Sequence, residues 1–431
     1  MNFRKIIKRT FNSLMVIMLI AGQVLMVFGA DVGLQDAIDD FIQQNESATV
    51  SVSVAVFTDN EILLERHHGS INITQNIANH YEAVFEWGSA AKLLVSVSAL
   101  QLAERGLLDL NGDIRTHVPT GFLTGLSYDE PITMLHLLNH SAGFQETFLE
   151  LEATARSGEI LPLGESLQRF QPLQAFRAGN VTAYSNFGTA LAGYVIERIS
   201  GMPFHIYVQQ NIFVPLGMTQ TALRPDLGDN DWVRIQRGYT HGYTANFQSI
   251  GNIPFLSSWY PAGSATGTLA DFAKFGQSLL SDNSPLFQNS ETLGLLLSPT
   301  SIFPDGTGRN YHGFWAEPQF AGHVIGHAGN TMGFSSTLLI DIANGFGAVV
   351  MTNQRLEHIY NRQMMNLIFG ESDFVNIGSS ANDVRVNGIF QDTRGHQRGM
   401  LRFLGLMNIR PFFSKTITLY QPHFSAQRHE L

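Results

Sequence analysis

Phe85-Glu86-Trp87-Gly88-Ser89-Ala90-Ala91-Lys92 sets a serine and a lysine three positions apart at the end of an apolar, aromatic approach. The run from Ser89 to Arg105 predicts a helix stopped by Gly106, with Leu93, Leu94, Val97 and Leu100 as its core face. Residues three apart on a helix share a face, so the lysine amine can reach the serine hydroxyl. Burial disfavours the charged form of a lysine. A neutral amine can then take the hydroxyl proton and make the serine a nucleophile. The helix N-terminus adds backbone N–H groups and positive dipole suited to an oxyanion. The bland alternative is an exposed serine and lysine on a surface helix, and Phe85 and Trp87 argue for burial instead. Lysine is also scarce: the others are Lys5, Lys8, Lys274 and Lys415.

Two further segments carry suitable chemistry. In Tyr184-Ser185-Asn186, a phenol beside the pair can relay a proton, and an asparagine two residues on can hold both the lysine and a substrate carbonyl. Taken alone, the triplet also reads as a turn with a packed tyrosine and a capping asparagine. In His327-Ala328-Gly329-Asn330, Gly329 lets backbone approach a ligand closely. On an edge strand beside the serine, the N–H of Asn330 would complete an oxyanion hole with that of Ser89. His327 would bond Tyr184 or orient substrate. By itself, a histidine in a glycine turn says little.

Together and in this order, S-x-x-K, Y-x-N and H-x-G resemble the penicillin-recognising serine hydrolases: class C β-lactamases, DD-peptidases and related esterases and D-aminopeptidases. Residues 132–144, 212–218 and 261–268 resemble further segments of that family, so the likeness spans roughly 35–370. It implies an α/β (α+β) fold with a mixed, mainly antiparallel sheet flanked by helices, an all-helical lobe, and a site in the cleft between them. It also implies catalytic Ser89, Lys92 and Tyr184, with Asn186, His327 and Gly329 orienting substrate and the N–H groups of Ser89 and Asn330 holding the oxyanion. No cofactor and no metal are implied. The third motif departs from the lactamase pattern, because neutral histidine attracts a substrate carboxylate less than lysine does. That favours an esterase or peptidase over a dedicated β-lactamase. D,D-carboxypeptidase, β-lactamase and a non-catalytic cell-wall recognition module stay as alternatives. Lys274-Phe275-Gly276 is set aside as mid-helix. His136 and His140 lack a carboxylate companion for a metal, and no G-x-S-x-G elbow is present.

Composition agrees with a large globular enzyme: 431 residues, 44% hydrophobic, 14% charged and no cysteine. A net charge of −10 without basic stripes excludes nucleic-acid binding, leaving a small-molecule or peptide substrate as partner. Residues 1–30 read as a signal peptide or membrane anchor, with Arg4, Lys5, Lys8 and Arg9 ahead of an apolar run to Phe28. Either way the body is expected outside the cytoplasm, secreted or anchored. Residues 31–372 are expected to form one hydrolase domain and 373–431 a polar tail or partial β-rich linker. Strand patterns at 50–57, 62–66, 324–325, 335–342 and 345–352, with helices at 34–44, 190–199, 204–210, 271–280 and 357–368, suggest one sheet fed from both ends.

Overall fold

Ser51-Val52-Ser53-Val54 alternates polar and apolar residues, the pattern of a strand with one wet face, and then runs into the wholly apolar Ala55-Val56-Phe57. In the computed structural model, which describes residues 33–303, 305–372, 385–393, 409–416 and 426–428, both faces of this strand are buried. Its serines are accommodated by hydrogen bonds: Ser51 Oγ donates to Asn353 Oδ1 at 2.7 Å, and Ser53 Oγ lies 2.9 Å from His67 Nδ1. Residues 33–44 are helical, as expected. The chain up to Ala48 groups separately from Thr49–Leu431.

Within the larger unit, β1 (Ser51–Thr58) and β2 (Ile62–Asn72) form the expected hairpin, with β3 (Ile77–Ala78) at its edge. β2 runs six residues past the predicted Arg66 because its pairing with β1 continues to Ser51↔Gly69. Short strands follow: β4 (Val84–Glu86), β5 (Thr221–Ala222), β6 (Gly242–Tyr243), β7 (Ser249–Gly251) and β8 (Thr266–Thr268). Of these, β4, β8 and β5 make a small sheet, and β6 pairs with β7. The last set is β9 (Ser301–Ile302), β10 (Gly308–Tyr311), β11 (Phe314–Ala316), β12 (Val324–Asn330), β13 (Ser335–Asp341) and β14 (Phe346–Thr352). The main sheet among the described residues is antiparallel, in the order β3-β2-β1-β14-β13-β12-β11-β10-β9. β1 pairs with β14 from Val52↔Thr352 to Thr58↔Phe346, so the two ends of the domain do share one sheet.

The helix Leu269–Ser278 packs on β1, β13 and β14. Asn186–Ser200 gathers Met134–Leu138, Leu163–Arg169 and Phe204–Val208 into a helical lobe. Lys92–Glu104 joins the two parts. The turn ahead of it touches β12 and β13, and its body touches the lobe. It is therefore buried from Lys92 to Leu102 on every side, where the sequence suggested a single core face. Its expected first turn is a separate 3-10 turn, Gly88–Ala91. The closing α-helix starts later than expected, at Met364, after the π-type stretch Ile359–Gln363, where the Glu357 carboxylate accepts the N–H groups of Ile359, Tyr360 and Asn361.

β4 leads straight into Ser89, and a buried ion pair anchors it. Arg237 Nη2 donates to Glu86 Oε1 at 2.8 Å, and both side chains are at most 4% exposed. The Arg237 guanidinium also lies 4.5 Å from the centre of the Phe334 ring, and Glu86 accepts the Phe255 N–H. Arg237→Met should cost about 3–5 kcal/mol of unfolding free energy, because it strands a buried carboxylate. Adding Glu86→Met should recover most of that loss. Urea unfolding of the two variants checks both values, and a loss under about 1 kcal/mol for the single change contradicts the assignment.

The leader, residues 1–30, lies outside the described residues, and no helix among the described residues is long and apolar enough to cross a membrane. In the tail, Arg385–Asp392 pairs with Ile409–Thr416 and Ala426–Arg428 in a three-stranded sheet. Thr393 Oγ1 donates to the carbonyl of Thr182 at 2.9 Å, two residues ahead of Tyr184.

Candidate active site

Gly88 has φ +52°, in the left-handed region that glycine tolerates without cost. This lets the chain turn sharply between Trp87 and the helix, and a Cβ at Gly88 would lie 2.6 Å from the Asn330 nitrogen. Gly329 makes the reciprocal approach: a Cβ there would overlap the Trp87 carbonyl oxygen and stand 2.8 Å from the nitrogen of Ser89. The two glycines thus press the 3-10 turn and β12 together backbone to backbone. Trp87 fixes the turn from behind, stacked on Phe272 at 3.9 Å between centroids, with its carbonyl accepting from Ser336 Oγ at 2.6 Å.

His327–Asn330 lies in β12, the edge strand that the oxyanion-hole reading called for, although its local sequence, after strand residues 324–325, suggests a glycine turn. Pairing of β12 with β13 continues to Asn330↔Ser335, whereas the ladder to β11 ends at Trp315↔Gly326. Beyond Gly326 the strand therefore offers an edge to the Ser89 turn. The Asn330 side chain is engaged elsewhere, accepting from Ser335 Oγ at 2.6 Å and from the Leu356 N–H at 3.2 Å. Its backbone is what faces the turn.

Lys92 is 3% exposed, and its amine sits among three oxygens. These are Ser89 Oγ at 3.0 Å, Asn186 Oδ1 at 2.7 Å and the carbonyl of Ala262 at 2.5 Å. The amine also lies 5.1 Å from the centre of the Tyr184 ring. Ser185 caps the lobe helix, accepting from the Gly188 N–H at 3.1 Å, so Asn186 occupies the first helical position and points at the lysine. The structure brings Ser89, Lys92, Tyr184, Asn186, His327, Gly329 and Asn330 into one locality. The His327 ring is centred 6.2 Å from that of Tyr184, and His327 Nδ1 lies 2.6 Å from the Ala328 carbonyl. A carbonyl only accepts, so Nδ1 carries a proton.

Three further contributors carry roles that the sequence does not suggest; His140 enters there only as a candidate metal ligand. The Ala262 carbonyl is a backbone group in the turn Tyr260–Ala262, set by the Tyr260 hydroxyl donating to Glu197 Oε1 at 2.9 Å. Burial pushes both Glu197 and Tyr260 above their ordinary pKa ranges. Gly193 completes the fit, since a Cβ there would stand 2.7 Å from Pro261. The second contributor is His140, left-handed at φ +53° and stacked on Tyr184 at 4.2 Å between centroids. It accepts the Ser185 N–H at Nδ1 (3.1 Å), and His136 Nδ1 accepts the Thr133 N–H (3.2 Å) in a capping box. Both histidines are committed to local structure, and no cluster suited to a metal occurs among the described residues. The third is Glu146, which accepts from Asn186 Nδ2 at 3.1 Å. Lys274, the rejected alternative, bonds the Gly217 carbonyl and Asp271 instead.

A family model described as Beta-lactamase matches residues 34–364. Penicillin-binding protein 4* of Bacillus subtilis (strain 168) is 22% identical over 334 residues, which cover 72% of this chain and 70% of that protein. Among solved structures, the octameric penicillin-binding protein homologue from Pyrococcus abyssi aligns with a TM-score of 0.64 at 20% identity, covering 84% of this chain and 83% of that one. D-amino acid amidase from Ochrobactrum anthropi SV3 aligns with a TM-score of 0.62 at 21% identity, covering 78% and 96%. The structural matches establish a shared fold.

Proposed function

The chain belongs to the Beta-lactamase family, and from that premise we propose that it is an exported serine hydrolase that cleaves an ester or amide through an acyl-enzyme on Ser89. The observation that carries the reading is the buried Lys92 amine, 3.0 Å from the Ser89 hydroxyl and 2.7 Å from Asn186 Oδ1. In this reading Lys92 takes the Ser89 proton as Oγ attacks the carbonyl carbon, and the oxyanion forms against the N–H groups of Ser89 and Asn330. Tyr184 relays that proton from Lys92 to the leaving group as the bond between the leaving group and the carbonyl carbon breaks, leaving the acyl group on Ser89. The acyl–oxygen bond of the intermediate then breaks by attack of water, which restores Ser89. Asn186, from its helix, and His327 orient the substrate, with Gly329 keeping the strand of His327 close to the Ser89 turn. The basic and then apolar residues 4–28 support export.

His327 in place of a lysine supplies no permanent charge for a substrate carboxylate, which favours uncharged esters or amides over penicillins and carboxy-terminal peptides. The relative acting on D-amino acid amides, at a TM-score of 0.62, supports an amide as well as an ester substrate. The test compares a short p-nitrophenyl ester, a D-amino acid amide and a labelled penicillin on purified protein and on Ser89→Ala. Turnover of the ester or amide that depends on Ser89, with slow penicillin acylation, is expected. A long-lived penicillin adduct without turnover of either would favour a cell-wall recognition module.

His140 should act through Tyr184. His140→Ala removes both the stacked ring and the acceptor for the Ser185 N–H, so kcat should fall about 10- to 100-fold at little changed KM. His140→Phe keeps the stack and should recover part of the loss. Steady-state kinetics on the preferred substrate check this.

A further inference from the structure

Lys92 meets three oxygens, and their chemistry assigns its hydrogens. Asn186 Oδ1 and the Ala262 carbonyl can only accept, whereas Ser89 Oγ can also donate. A neutral amine has two N–H bonds and one lone pair. With both N–H bonds taken by the two carbonyl oxygens, the lone pair is left for the Ser89 hydroxyl. That outcome requires Asn186 to present its oxygen, because an Nδ2 in the same place would donate to the lone pair instead. Glu146 decides the orientation. Its side chain, in a residue only 2% exposed, accepts from Asn186 Nδ2 at 3.1 Å and from the Thr147 N–H at 3.2 Å.

We infer that Glu146 is a positioning residue: it fixes which end of the Asn186 amide faces Lys92, and its charge sets the pH at which Ser89 becomes reactive. This rests on the reading of Ser89 as nucleophile and Lys92 as its base. Other titratable groups near the amine include Tyr184, centred 5.1 Å away, and the two rings beside it, His140 and His327. From the turn that carries Ala262, Tyr260 is directed to Glu197, whose Oε1 also accepts the Phe204 N–H. Glu146 therefore brings the negative charge linked to Lys92 through a single amide. A nearby negative charge favours the protonated amine, the unreactive form. Removing the charge while keeping the size should make neutral Lys92 available at lower pH.

The experiment follows the rate of fluorophosphonate labelling against pH, which needs no knowledge of the natural substrate. Glu146→Gln should move the acid limb of the profile down by about 0.5–1 pH unit, since Gln Oε1 still accepts from Asn186. Glu146→Leu, which frees the amide to turn, should also lower the plateau about 100-fold. An acid limb in Glu146→Gln that coincides with the wild type, or moves up, overturns the inference. If Glu146→Gln does not fold, Glu146→Asp keeps the charge and carries the test. Its limb must stay in place while the plateau falls, and a displaced limb overturns the inference. Labelling that persists in Ser89→Ala would instead refute the underlying reading.

Discussion

Replacing Lys92 by methionine should lower kcat/KM about 10²- to 10⁴-fold while leaving the protein folded. The factor is the range for loss of a positioned proton acceptor, and it should appear almost wholly in kcat, because the amine acts on Ser89 rather than on the substrate. Methionine fills a similar volume and removes a buried amine, so the packing around residues 92–102 need not change. Two acceptors, Asn186 Oδ1 and the Ala262 carbonyl, lose their donor, which sets a stability cost of about 1–3 kcal/mol. Circular dichroism melts separate that cost from the kinetic effect. A variant with more than a tenth of wild-type kcat would place the proton acceptor elsewhere.

Gly329→Ala should be the most damaging change of a single methyl group. The added carbon would overlap the Trp87 carbonyl and approach the nitrogens of Ser89 and Ala90 at 2.8 and 2.9 Å, all of them backbone atoms that cannot swing aside. β12 and the turn holding Ser89 must separate, which pulls the N–H groups of Ser89 and Asn330, proposed above to hold the oxyanion, out of register. Loss of one such donor costs about 10²–10³ in kcat, and the variant should reach at least that. Gly294→Ala is the matched control. It lies in the helix Ser290–Leu296 with nothing within 4 Å of the new carbon, and should be neutral or slightly stabilising. Kinetics and melting temperatures of the pair check both statements.

The sequence made the sheet's strands and the order of the motifs legible, because both are written in short patterns. Short apolar runs located β1, β13 and β14, and S-x-x-K followed by Y-x-N and H-x-G marked the residues that the fold gathers around Lys92. What stayed hidden depends on tertiary partners. The serines of β1 look solvent-facing until Asn353 and His67 are placed beside them. Lys92–Glu104 reads as amphipathic until sheet and lobe close on both sides. His327–Asn330 looks like a turn because two of its four residues are Gly and Asn, and its pairing with β13 overrides that local preference. The Ala262 carbonyl leaves no side-chain signature at all. Glu86 and Arg237 lie 151 residues apart, and Glu146 lies 40 from Asn186, so no local spacing announces either contact.

The claim beneath the whole account is that Ser89 carries the acyl group. Fluorophosphonate treatment of the purified protein, followed by intact mass measurement and peptide mapping, tests it most directly. The account predicts one adduct per chain, on the peptide containing Ser89, and no adduct on Ser89→Ala. An unmodified wild-type protein, or an equal adduct on Ser89→Ala, would contradict it.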